Sequence, residues 1–302
     1  MSGSAPPDEV PIDAPLVRTL LESQHPDLAA VPLGTRHEGW DMAMFRLGDS
    51  LAVRLPRRAA AVGSLEAELQ WVPRLSAGWT FPTQRIERIG VPGAGYPWPW
   101  AVVTWLPGTD AATTPLGASA GAALGRALVE VHQPAPPEAP FNSEQSITLE
   151  EREAGLLGAL EAVAAAAPGR GVHLDRERAL SLWRAAREDT EAVPRRWIHA
   201  DLHPFNLVSH EGDFAGIVDW ADVAAGDPAT DLGFLHLDLP REGVQAAFDA
   251  YAVSTGGLSA GTRARARGVG VALAAGFATW NTPATSEIGW RALRELGLLA
   301  PA

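Results

Sequence analysis

The stretch RRWIHADLHPFNLVSHEGDFAGIVDWADVAAGDPATDLG, Arg195 to Gly233, decides how this chain is read. It opens apolar in WIHADLH and turns polar at Asp201. FNLV reads as a short strand, Glu211-Gly212-Asp213 as a hairpin turn, and FAGIVDW as a second strand ending on Asp219. Asp201, Asn206 and Asp219, separated by five and thirteen residues, therefore fall at the edges of one hairpin-like element.

That set of side chains suits phosphoryl transfer from a nucleotide. The reaction needs little covalent help from a protein; it needs a group that orients the attacking hydroxyl and hard oxygen ligands for Mg²⁺ on the phosphates. Asp201 can accept or orient the hydroxyl proton, while Asn206 and Asp219 offer a neutral and an anionic oxygen. A different chemistry is also spelled here: His199, Asp201 and His203 form H-x-D-x-H, which could ligate a metal in a hydrolase. Taken singly, each residue has a plainer role as a loop cap, a turn residue or a strand end.

Working outward, the segment Leu33 to Trp105 has strand character. MAMFRLG (42–48) and SLAVRLP (50–56) flank a Gly48-Asp49 turn. Leu65, Leu69 and Val72 then mark one face of a helix that Pro73 should end or kink. QRIERIG and WAVVTWL read as further strands. PGTDAATTPLG is a connector, and beyond it helical periodicity dominates: a helix ending near His132, then 148–166, 175–190, 241–253, 261–280 and 286–298.

HADLHPFN followed by IVDW and GDPATDL resembles the catalytic segment of the aminoglycoside phosphotransferase family, relatives of protein kinases. HEGWDMAMFRLGDSLAVRLPRR is similar to that family's nucleotide loop and basic strand, EAELQWVPRL to its ion-pairing helix, and YPWPWAVVTWLPG to the strand entering the hinge. The resemblance implies an α+β, bilobal protein-kinase-like fold with a small β-rich N-lobe and a larger helical C-lobe. The N-lobe (1–106) would bind nucleotide, with a loose leader over 1–12; the C-lobe (107–302) would carry catalysis and the acceptor. It further implies Asp201 as catalytic base, Asn206 and Asp219 as Mg²⁺ ligands, and Arg54 over the phosphates, paired with Glu68 rather than Glu66. Gly39 would serve the nucleotide loop, and Trp105 and Leu106 would flank the base of ATP or GTP. His199 would be structural, with Asp227 and Asp231 bracing the loop.

Two departures stand out. Arg54 replaces the lysine of many kinases; arginine keeps the charge and can fork to two oxygens. Met42 follows GWD where relatives often carry Asn, so a polar contact in the nucleotide loop is expected to be missing. A nucleotide-binding pseudokinase is the reading these departures motivate. The implied reaction is phosphorylation of a small-molecule hydroxyl, first of an antibiotic (aminoglycoside, macrolide or peptide), with choline, homoserine or a sugar as the alternative.

Composition narrows the partners. The 302 residues are 46% hydrophobic and 20% charged, with no cysteine, which excludes a disulfide framework or a zinc ribbon. All 24 basic residues are arginine, and the net charge of −12 disfavours nucleic acid and leans towards a cationic acceptor. No apolar run approaches the ~20 residues of a membrane span, and the polar N-terminus MSGSAPPDEVP lacks secretory character; a cytoplasmic location is expected.

Overall fold

A computed structural model describes residues 6–189, 191–193 and 195–302. The first part of the chain runs α1 (Ala14–Gln24), β1 (Leu33–Glu38), β2 (Met42–Leu47), β3 (Leu51–Pro56), α2 (Val62–Leu75), β4 (Ile86–Gly90) and β5 (Trp100–Thr104). The strands form one antiparallel sheet in the order β1-β2-β3-β5-β4. Period-two alternation divides its side chains between two faces. Phe45, Leu47, Val53, Leu55 and Val102 pack on α1 through Val17, Leu20 and Leu21. Met42, Ala52, Ala101 and Val103 pack on α2 through Leu65.

Three expectations change here. The helix α1 was not anticipated; Asp13 caps it by accepting from the Leu16 N–H at 2.9 Å. The leader is not loose over 6–12, because Asp8 pairs with Arg36 at 2.7 Å and with Arg57, and Ile12 is buried. Its first five residues lie outside the described ones. Pro73 does not stop α2, which runs on to Leu75; so near the C-terminus a proline removes one hydrogen bond without breaking the helix.

The second part holds β6 (Thr109–Asp110), α3 (Gly121–Val131), α4 (Leu149–Ala166), β7 (Val172–Leu174), α5 (Arg176–Arg187), β8 (Arg196–Ile198), β9 (Leu207–His210), β10 (Asp213–Ile217), β11 (Ala224–Gly226), α6 (Ala229–Asp238), α7 (Arg241–Thr255), α8 (Ala260–Ala278), α9 (Pro283–Glu295) and β12 (Leu299–Pro301). The expected helices appear within a few residues of their ends; position 190 of the 175–190 helix lies outside the described residues. Thr148 and Glu151 form a capping box that starts α4 where expected. Every residue of α6 is buried, and α8 and α9 pack around it in one apolar core. Helices α3 and α7 meet closely because a Cβ on Gly121 would lie 2.1 Å from the Gly243 carbonyl oxygen.

Candidate active site

The chain enters the site on β8, which pairs with β11 and delivers His199 and Ala200. Ala200 has φ +69°, a left-handed conformation that a Cβ disfavours. It is held there by Asp231 of α6, whose carboxylate accepts the His199 N–H at 2.7 Å and the Ala200 N–H at 3.0 Å. The His132 ring reaches the same carboxylate at 3.1 Å and the Tyr251 hydroxyl at 3.0 Å. His199 is buried, with Nε2 3.1 Å from the Val218 carbonyl and Nδ1 accepting the Asp201 N–H at 3.2 Å. His199 and Asp231 thus fix backbone, as the sequence suggested, and His132 joins the same buried cluster. Asp227 differs slightly: it accepts the Ala229 N–H at the start of α6 and pairs with Arg265, bracing α6 and α8 rather than the loop itself.

Asp201 follows. The Asn206 amide donates to its carbonyl at 2.8 Å and to its carboxylate at 3.1 Å. His203 Nε2 lies 3.3 Å from the same carboxylate. Burial alone would raise the Asp201 pKa; His203, His199 and Asn206 outweigh it and hold the carboxyl below its ordinary value. The reciprocal effect carries His203, despite its own burial, up to about 9. The sequence reading saw His203 only as part of H-x-D-x-H. Its ion pair with Asp201 turns that ring away from such a role, and among the described residues no group of three His, Asp or Glu side chains could hold a metal.

The β9–β10 hairpin turns through Glu211 (φ +54°) and Gly212 (φ +91°), one residue shorter than expected because Asp213 already pairs with His210, and β10 ends at Ile217 rather than on Asp219. Asp219 follows it, also left-handed at φ +60°. The Val218 N–H donates to the Asn206 carbonyl at 2.9 Å, tying this segment to the Asp201 loop.

From the N-lobe sheet, Arg54 on β3 reaches into the same place. It is 1% exposed, and its Nη1 donates to both Glu68 oxygens, at 2.7 and 2.9 Å, and to Gln84 at 3.0 Å. Its Nη2 donates to Asp219 at 2.7 Å. The partner is Glu68 of α2, as expected, while Glu66 is exposed. Gln84 was missed; it read as the first residue of a strand that begins only at Ile86. The neighbouring Thr83 hydroxyl donates to the Ile217 carbonyl and accepts from Trp220 Nε1, stitching the two lobes.

The remaining expected residues line the cleft less uniformly. Gly39 sits in the β1–β2 turn, its N–H donating to the Met42 carbonyl at 2.9 Å. Met42 turns inward among Leu65, Ala52 and Val103, so it contributes packing at that point. The Trp105 N–H already donates to the Ser50 carbonyl at 2.7 Å. A nucleotide base could therefore meet the Trp105 carbonyl or Leu106, but not the Trp105 N–H.

The donor set can be tested for a hard divalent cation. Asp222, bonded by the Asn142 amide at 2.7 Å, has its pKa lifted to about 7 by burial and then by the charges of Asp201 and Asp219. Negative charge is thus crowded around hard oxygen atoms, and Asp219 is 43% exposed to receive a cation. One or two side-chain oxygens completed by substrate phosphates is how Mg²⁺ is usually held. Asp219 and Asn206 fit it.

The phosphotransferase enzyme family model matches residues 34–269, spanning both lobes and every side chain just described. The chain belongs to this family. Its fold is that of solved phosphotransferases. The GDP complex of wild-type aminoglycoside 2'-phosphotransferase-IIIa superposes with a TM-score of 0.61 at 17% identity, over 95% of this chain and 99% of that one. Macrolide 2'-phosphotransferase MphH from Brachybacterium faecium gives 0.56 at 20% identity, over 93% and 98%. Macrolide 2'-phosphotransferase type I gives 0.58 at 16%, over 98% and 99%. No curated protein matches the sequence.

In this phosphotransferase an aromatic strip leads away from Asp201. The His203 ring lies 5.6 Å from Phe205 and 6.0 Å from Phe277; Phe277 lies 6.5 Å from Trp280. Trp280, beyond α8, meets Trp40 of the β1–β2 turn at 6.4 Å. Trp40 is 42% and Phe205 39% exposed, so the strip presents apolar rings to solvent at the cleft. No helix is long and apolar enough to cross a membrane among the described residues.

Proposed function

We infer that this phosphotransferase moves the γ-phosphoryl group of ATP or GTP to a hydroxyl of a small ring-bearing molecule. The observation that carries the reading is the junction of Asp201, Asn206, Asp219 and Arg54, which joins a hydroxyl-orienting carboxylate, metal-type oxygens and a fixed cation. Asp201 orients the acceptor hydroxyl in line with the γ-phosphorus and takes its proton as the new O–P bond forms and the bond from the γ-phosphorus to the β–γ bridging oxygen breaks, releasing the nucleoside diphosphate. Arg54, positioned by Glu68 and Gln84, faces the phosphates with a permanent charge. Asp219 and Asn206 would hold Mg²⁺, which would supply neutralising charge for the nucleotide phosphates. Gly39 leaves the nucleotide loop free of a side chain, and the Trp105–Leu106 backbone borders the base.

The acceptor reading rests on the aromatic strip and on the surrounding acids. Flat rings beside Asp201 suit the C–H face of a sugar or macrocycle, and Asp222 suits an amine upon it. The solved relatives are antibiotic phosphotransferases by name, which supports an antibiotic before choline, homoserine or a free sugar. A cytoplasmic location belongs to the same reading, since it supplies the nucleotide.

The test is a transfer screen. Purified protein, Mg²⁺ and ATP or GTP are mixed with hydroxyl-bearing antibiotics and metabolites, and products are read by the mass of one added phosphoryl group. A product from one class establishes the reaction and the acceptor together. Nucleotide binding with no product from any acceptor would favour the pseudokinase reading instead.

A further inference from the structure

A second cavity, away from the nucleotide cleft, opens where α5, α6, α7 and α8 meet the turn after α9. It measures about 250 Å³ and is lined by Arg178, Arg241, Arg267, His236, Glu295 and Phe248, among others. The lining is cationic although the chain as a whole carries −12. Arg178 and Arg241 stand side by side: a Cβ on Gly297 would lie 3.2 Å from one guanidinium and 3.7 Å from the other. Both guanidinium groups therefore face the same small space, where an anion could meet them together.

The structure gives these arginines little counter-charge. Arg241 donates from Nε and Nη2 to the Glu295 carbonyl, a backbone oxygen, at 3.0 and 2.8 Å. The Glu295 carboxylate is turned to the Arg241 backbone N–H instead. Among the described residues, Arg178, Arg241 and Arg267 form no salt bridge, so the positive charge gathered around the cavity is not offset by carboxylates.

His236 adds an independent observation. It is 9% exposed, lines the cavity, and its Nε2 has no hydrogen-bond partner. Such an atom, buried and unpaired, costs stability unless something meets it. Burial and the nearby Arg267 keep the ring neutral, with a pKa near 3, so at physiological pH it can present an N–H to an anion without competing for charge. The cavity is larger than an oxyanion alone requires, and Phe248 supplies an apolar side.

We propose that this cavity is a binding site for the phosphate group of a small phosphate monoester, with Arg178, Arg241 and Arg267 gripping its oxygens and His236 donating to it. Guanidinium forks match phosphate geometry, which favours this class over a carboxylate. The site does not depend on the transfer chemistry, and its residues lie outside that machinery.

The experiment uses the full chain with its cleft saturated by a non-hydrolysable nucleotide and Mg²⁺. The ¹⁵N resonances of the His236 imidazole, assigned with His236→Gln, are followed while inorganic phosphate or glucose 6-phosphate is added. A saturable shift is expected with both, at least tenfold tighter for the monoester, and lost in the Arg178→Ala/Arg267→Ala variant. Both of those side chains are exposed, and unchanged nucleotide affinity checks that the variant folds. No shift with either probe, a shift that survives in the variant, or inorganic phosphate binding as tightly as the monoester would each overturn the assignment.

Discussion

Arg54 Nη2 and Asp219 Oδ1 lie 2.7 Å apart across the cleft, joining residues 165 positions distant in the chain. The same guanidinium holds Glu68. Burial followed by the Asp219 charge leaves Glu68 with a raised pKa even beside Arg54. Arg54→Ala would strand Glu68 without a counter-charge. The expected cost is about 3–5 kcal/mol, measured by urea unfolding. Arg54→Lys keeps the charge but not the fork that reaches Glu68, Gln84 and Asp219 together, and should raise the nucleotide KM by at least tenfold. Wild-type kinetics from the lysine variant would remove the argument from fork geometry.

Asp201→Ala should lower kcat by roughly 10²–10⁴-fold, the usual worth of a positioned acid–base group, while nucleotide affinity changes by less than about threefold. Parallel transfer assays and nucleotide titrations separate the two quantities. Retained turnover would exclude Asp201 as the hydroxyl-orienting group.

Asp219→Ala should behave differently. It removes a metal oxygen and also releases Arg54, so Mg²⁺-dependent nucleotide affinity should fall while binding measured with EDTA changes little. Equal loss in both conditions would assign Asp219 to structure alone.

Asp231→Ala should leave the His199 and Ala200 N–H groups without an acceptor in a buried place. Each unsatisfied donor costs about 1–3 kcal/mol, and Ala200 loses the contact that holds it left-handed. Stability and kcat should therefore drop together, although Asp231 touches no substrate. Thermal melts and single-turnover rates on the same preparation provide the check.

Asp222 gives a pH prediction. Its pKa is raised from 3.8 to about 7 by burial, then by Asp201 and Asp219. A carboxyl raised in the folded state contributes stability that is complete below its unfolded value of 3.8 and is lost as pH climbs through about 7. Asp222→Asn keeps an acceptor for Asn142 and cannot ionise. Measured without Mg²⁺, the variant should gain on the wild type between pH 5 and pH 8, and parallel stability curves would refute this.

The site was legible where its chemistry is local in sequence. Asp201, Asn206 and Asp219 flank one short hairpin, so its turn residues and strand edges announce them. The Arg54–Glu68 pair needed only one strand and the next helix. The gaps arise where proximity is tertiary. Asn142 reaches Asp222 from 80 residues away out of an irregular loop, and Gln84 joins Arg54 from a linker without periodicity. Helix α6 was missed because it is buried on every side and shows no amphipathic face. Strands β7 and β12 are three residues each and pair across most of the C-lobe, too short for any pattern. The first helix hid behind a leader whose Pro and acidic residues read as tail, although Asp13 followed by a proline in the first turn was a usable start signal.

The Trp40–Trp280 contact gives the molecule a built-in optical gauge. One indole rides on the β1–β2 turn and the other just beyond α8, so any movement of one against the other changes the coupling of two chromophores. Subtracting the emission of Trp40→Phe from that of the parent isolates their contribution from the other nine tryptophans among the eleven. Stopped-flow mixing with nucleotide or acceptor alone then yields the order in which ligands arrive, without attaching a dye to a chain that offers no lysine or cysteine to carry one.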